Sequence, residues 1–144
     1  MKVLVQKVKE ASVLVNGTVV GQIGLGCVLY VGFSSTDTLK DVEKMAHRLP
    51  LARLFEDKEG KMNLSLIDVK GSFLSISQFT LMADTSKGHR PSFTQAMDPS
   101  QAIIFYEAFN QLLRKEVPVE TGIFRENMVI HQVNDGPLSI LYES

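Results

Sequence analysis

Three hydroxyls and a carboxamide fall within six residues of the stretch Ser75-Ile76-Ser77-Gln78-Phe79-Thr80-Leu81. Alternation places Phe73, Ser75, Ser77 and Phe79 on one face and Leu74, Ile76, Gln78 and Thr80 on the other, so the stretch reads as the end of a strand with polar groups on both faces. A buried polar group without a partner costs about 1–3 kcal/mol. This density therefore suits either a binding site at a strand end or an edge strand with one solvated face. As nucleophiles, Ser77 or Thr80 would need a base beside them and an orienting acid behind it. There is no Gly-x-Ser-x-Gly elbow, and the sequence places none of His47, His89 and His131 beside either hydroxyl. Backbone amides at a strand end could instead polarise a carbonyl, which requires no particular side chain.

The elements that must position this stretch belong to one domain spanning 1–144. Apolar residues make up 44% and charged residues 22%, the balance of a globular chain, and no apolar run approaches the roughly 18 residues of a membrane span. The first residues, Met1-Lys2-Val3-Leu4-Val5-Gln6-Lys7, meet polar side chains too early for a signal peptide, and a cytoplasmic location is expected. Cys27 lies in an apolar run and reads as a small core residue. The histidines lack metal-ligand spacing, so neither a metal nor another cofactor is expected. A net charge of −1 excludes a wholly basic surface and confines any nucleic-acid contact to a local patch.

Val- and Leu-rich segments at 2–8 and 12–15, followed by Asn16-Gly17, predict an opening β-hairpin, with its returning strand at 18–23. Gly21, Gly24 and Gly26 lie between strands and read as turn glycines rather than a phosphate loop. Cys27 to Phe33 reads as a strand buried on both faces. Thr38 and Asp41 resemble a capping box before a helix over 38–49, which Pro50 ends, and a short strand follows at 52–55, after which 62–65 and 68–71 lead the chain into the strand that ends at Ser77-Gln78-Phe79. The polar loop 83–93 carries Lys87, His89 and Arg90, reads as solvated, and lies where phosphate-binding groups are expected. A second helix is capped by Asp98, opens on Pro99, and presents Ile103, Ile104, Phe105, Phe109, Leu112 and Leu113 as its apolar face. Final strands are expected at 127–133 and 138–143, joined by a turn at Asn134-Asp135-Gly136-Pro137. The fold class is α+β, with about seven mostly antiparallel strands and two helices.

Along nearly its whole length the sequence resembles the D-aminoacyl-tRNA deacylase family. The resemblance rests on Ala11-Ser12-Val13 with Gly17, Phe55-Glu56-Asp57, Gly60-Lys61-Met62-Asn63-Leu64-Ser65, Ser77-Gln78-Phe79-Thr80-Leu81, Ala83-Asp84-Thr85, Arg90-Pro91-Ser92-Phe93, Glu120-Thr121-Gly122 and Val133-Asn134-Asp135-Gly136-Pro137. It implies a compact, barrel-like domain that forms homodimers through its sheets. It further implies hydrolysis of the ester joining a D-amino acid, or misplaced glycine, to tRNA, with rejection of L-aminoacyl-tRNA. In that light Ser77, Gln78, Phe79 and Thr80 line the catalytic pocket, with amides near Gln78 and Phe79 facing the ester carbonyl. A hydroxyl of the RNA itself helps activate water. Gly136-Pro137 forms a cis dipeptide that enters the partner's pocket and screens chirality, and Lys7 stands where relatives carry the arginine that braces it. Leu138-Ser139 stands where Val-Thr is common in relatives. Lys87 and Arg90 are the candidate RNA contacts. The alternative is a non-hydrolytic nucleic-acid-binding module on the same fold; a covalent serine or threonine esterase is a poorer one.

Overall fold

In the computed structural model, which describes residues 1–144, the chain runs β1 (Lys2–Val15), β2 (Thr18–Ile23), β3 (Gly26–Gly32), α1 (Leu39–Arg48), β4 (Arg53–Glu56), β5 (Met62–Ser65), β6 (Ser72–Ser77), α2 (Pro99–Leu113), β7 (Val119–Thr121) and β8 (Val129–Glu143). The two apolar segments expected at the start merge into the single strand β1, and Asn16 and Gly17 turn it at φ values of 49° and 77°, the positive pair that a two-residue hairpin requires. β2 and β3 return along one edge of β1, pairing with residues 11–15 and 2–8, while β8 runs antiparallel along the other edge. β6 joins β3 in parallel, and β7 joins β6 in parallel. β4 and β5 form a separate hairpin.

The six-stranded sheet curls upon itself. A Cβ built on Gly21 of β2 would lie 2.8 Å from the Thr121 carbonyl of β7, so the ends of the strand path nearly meet and the sheet is almost a closed barrel. Its interior face holds Val8, Ala11, Val13, Ile23, Val28, Leu74 and Ile76. The opposite face carries Val3, Val5, Leu29, Val31 and Phe73 against Val42, Met45 and Ala46 of α1 and Phe105, Phe109 and Leu113 of α2. Cys27 belongs to this second core, where burial pushes its thiol up to about 12.

The helices begin where their caps dictate. The Asp41 carboxylate accepts from the Thr38 amide and hydroxyl, both at 2.8 Å, and Asp98 accepts from the Ser100 amide at 2.9 Å with Pro99 in the first turn. The buried face of α2 is rotated from the expected one, since Ile104 is exposed while Tyr106 and Asn110 are buried.

Four further expectations are corrected. β6 stops at Ser77: the Gln78 amide makes the last ladder bond to β3, to the Val31 carbonyl at 2.7 Å, and Phe79–Met82 then form a 3₁₀ turn. The two final strands are one, β8, in which Asn134–Pro137 form a bulge: the two steps from Gln6 to Val8 on β1 face five from Ser139 to Asn134 on β8. The bulge carries a cis Gly136-Pro137 bond, as the resemblance implies. β5 and β7 were not anticipated, being only four and three residues long. Finally, Gly21 and Gly26 lie within strands, and only Gly24 of the three stands between them.

Gly26 pairs with Ser72 where β3 meets β6, and a Cβ there would fall 1.8 Å from the Ser72 carbonyl oxygen. The obstruction is backbone, so Gly26→Ala must shift the register that places Ser77. It should cost at least about 3 kcal/mol. Urea unfolding checks this, and a wild-type midpoint would contradict it.

Candidate functional site

β6 delivers Ser77 and Gln78 to the wall of a cavity of about 940 Å³. Val31 and Phe33 contribute from the end of β3, Phe93, Ala96 and Met97 from the segment before α2, Phe124 and Met128 from the approach to β8, and Ile130 from β8 itself. The interior is mainly aromatic and thioether surface, with Ser35, Ser77, Gln78 and Asn127 as its uncharged polar groups. Asp98, Arg125 and Glu126 also line it, and all three are exposed. The arrangement suits a flat apolar ligand carrying a few groups to be fixed by hydrogen bonds.

The bond from the Gln78 amide to Val31 removes one of the two amides expected to face a carbonyl. The next two, those of Phe79 and Thr80, begin the 3₁₀ turn and donate to no backbone carbonyl. The Gln78 side-chain amide donates to the Thr80 hydroxyl, which is exposed and stands outside the cavity lining. Phe79 packs edge-to-face on Phe93, with ring centroids 5.2 Å apart. Paired Asp84 and Ser92 pin the base of the loop that delivers Phe93, with reciprocal backbone bonds of 2.8 and 3.0 Å.

Behind this wall lies a buried polar arrangement that the sequence did not reveal. The Tyr106 hydroxyl donates to the Ser75 carbonyl at 2.7 Å, and the Gly122 amide donates to the same oxygen at 3.1 Å. Burial pushes the Tyr106 phenol upward, against the opposing pull of its bonds. Its ring lies 6.0 Å from that of Phe124, so one side chain touches both β6 and the cavity wall.

The structure thus gathers Ser77, Gln78 and Phe79 at one cavity, with Thr80 beside it. Lys7, Gly136 and Pro137 lie outside that cavity in their own chain. Lys7 is buried, with Nζ 3.6 Å from the Asp135 carboxylate and 6.0 Å from the centre of the Phe55 ring, so it anchors the residue next to Gly136. Lys87 and Arg90 are exposed on the 84–92 loop and do not line the cavity. Phe33, Met97, Phe124, Arg125 and Met128 are lining residues that the sequence did not single out.

A family model described as D-Tyr-tRNA(Tyr) deacylase matches residues 4–143. Among solved structures, one described as c-Myc DNA Unwinding Element Binding Protein is 40% identical, with a TM-score of 0.95 over 100% of this chain and 99% of the other. A second, described as a probable eukaryotic D-amino acid tRNA deacylase, is 18% identical and shares the fold, with a TM-score of 0.83 over 98% and 97% of the two chains.

Tyr106→Phe removes a buried hydroxyl but leaves the Ser75 carbonyl its Gly122 donor, so the expected loss is about 1–2 kcal/mol. A lower urea midpoint with an unchanged slope would show it. An unchanged midpoint would mean that the hydroxyl contributes nothing to holding β6.

Proposed function

Residues 4–143 place this chain in the D-Tyr-tRNA(Tyr) deacylase family, enzymes that hydrolyse the ester of D-aminoacyl-tRNA, and we propose that it clears D-aminoacyl-tRNA and mischarged glycyl-tRNA while sparing L-aminoacyl-tRNA. The observation that carries this reading is the position of Ser77, Gln78 and Phe79, the most specific stretch of the resemblance, in the wall of the apolar cavity. The terminal adenosine enters among Phe79, Phe93 and Met128, and the ester carbonyl meets the Phe79 amide. Water adds to the carbonyl, negative charge develops on its oxygen against that donor, and the bond to the terminal ribose breaks. The ribose oxygen leaves with a proton, yielding tRNA and the free amino acid.

No side chain here is disposed as the base. The Asp98 carboxylate is committed to the Ser100 hydroxyl and amide, which hold it below the usual carboxylate range. Glu126 is exposed on the rim. A hydroxyl of the RNA, vicinal to the ester, supplies the missing assistance. Ser77 and Thr80 then support the site rather than attack the ester.

The working unit of this reading is a homodimer. β8 pairs only with β1, which leaves a fifteen-residue strand with an open edge, and Val129, Val133 and Leu141 are exposed on it. Gly136 and Pro137 project from the β8 bulge, where a two-fold partner would receive them and main-chain atoms would exclude an L side chain. Lys87 and Arg90 supply positive charge to the tRNA backbone, and the cytoplasm, where aminoacyl-tRNA is made, is the site of action. The non-hydrolytic binding module is not favoured, because the matching family is one of hydrolases.

Matched D- and L-aminoacyl-tRNA, incubated with the purified protein, test the proposal. The D ester should be lost at least about a hundredfold faster, and the Ser77→Ala protein should keep measurable D activity with no covalent adduct. Equal rates for the two enantiomers, or no turnover of either, would overturn it.

A further inference from the structure

Arg125 is the one cationic side chain lining the cavity, and Asp98 and Glu126 are the anionic ones. It forms none of the structure's four ion pairs. Its backbone holds φ at 65°, the left-handed region that disfavours any residue but glycine. The bond from the Glu126 amide to the Ile123 carbonyl, at 3.3 Å, closes the turn around it, and the preceding Phe124 rests on buried Tyr106. A guanidinium is thus presented at the rim by a fixed turn, with a local conformation that its side chain does not favour.

We propose that Arg125 grips the phosphodiester joining the terminal nucleoside of the substrate to its neighbour. The inference rests on the deacylase reading above. Once the nucleoside fills an apolar cavity, its first phosphate must cross the rim. Asp98 and Glu126 repel it, and only Arg125 offers charge and a planar fork matched to two phosphate oxygens.

Arg125→Gly is the informative variant, since glycine adopts φ of 65° without strain and the turn should persist. Two substrates separate the outcomes: a D-aminoacyl ester of adenosine, which has no phosphodiester, and the same ester on a short RNA. On the RNA, KM should rise five- to tenfold with kcat retained, and the dependence of log KM on log salt should flatten by about 0.7. The KM effect should vanish on the adenosine ester, and Arg125→Lys should restore part of the salt dependence. An unchanged KM on the RNA would overturn the assignment, as would equal rises on both substrates, which would reveal a role in shaping the cavity. A wild-type protein inactive on both would overturn the deacylase reading and this inference with it, whereas an active wild type matched by Arg125→Gly overturns this inference alone.

Discussion

The bond from the Gln78 amide to the Val31 carbonyl is the constraint on which the site depends. It is the last ladder bond between β3 and the chain emerging from β6, which ends as a strand at Ser77. Had the strand continued, the amides of Phe79 or Thr80 would be drawn into a ladder. Because it ends there, both lie at the start of a short 3₁₀ turn without backbone acceptors, beside an apolar cavity. The parallel pairing that makes this possible tolerates no Cβ at Gly26, and Tyr106 and Gly122 clamp the Ser75 carbonyl from behind. A donor prepared in this way needs little reorganisation as charge develops on a bound carbonyl, the condition under which backbone amides contribute most to ester hydrolysis.

Elements defined by local chemistry were legible in the sequence. Asn16-Gly17 turns the first hairpin and Asp98-Pro99 opens α2, since in each case neighbouring residues determine the conformation. Long-range pairing was not legible. Asn134-Asp135-Gly136-Pro137 has the composition of a turn, yet β1 pairs with the chain on both sides of it and makes it a bulge within β8. The alternation in residue type likewise runs on through Phe79, past Ser77, where β6 ends.

The site was legible in the same uneven way. Ser77, Gln78 and Phe79 stood out because hydroxyls and an amide are unusual in such a strand, and the family resemblance gave them a role. Phe33, Met97, Phe124 and Met128 did not, because an apolar side chain lining a cavity has the same sequence signature as one packed in a core. Arg125 was invisible for another reason: its positive φ is imposed by the turn after Gly122 and leaves no trace in residue type. The cavity also separates two kinds of recognition. On the proposed reading its apolar walls would accept a base and sugar with little discrimination, while the charges at its rim would govern how an anionic strand approaches.

The central claim is that this protein supplies a cavity and a polarising amide while the substrate supplies the assistance to water. The most direct measurement compares D-aminoacyl esters carried on a 3′-terminal adenosine and on a 3′-terminal 2′-deoxyadenosine, at saturating enzyme in single turnover. The account predicts that loss of the 2′-hydroxyl slows hydrolysis by at least about a hundredfold, the ordinary contribution of a positioned acid–base group, with binding little changed. Equal rates on the two substrates would contradict it and assign the base to the protein, with Glu126 on the rim as the first residue to substitute.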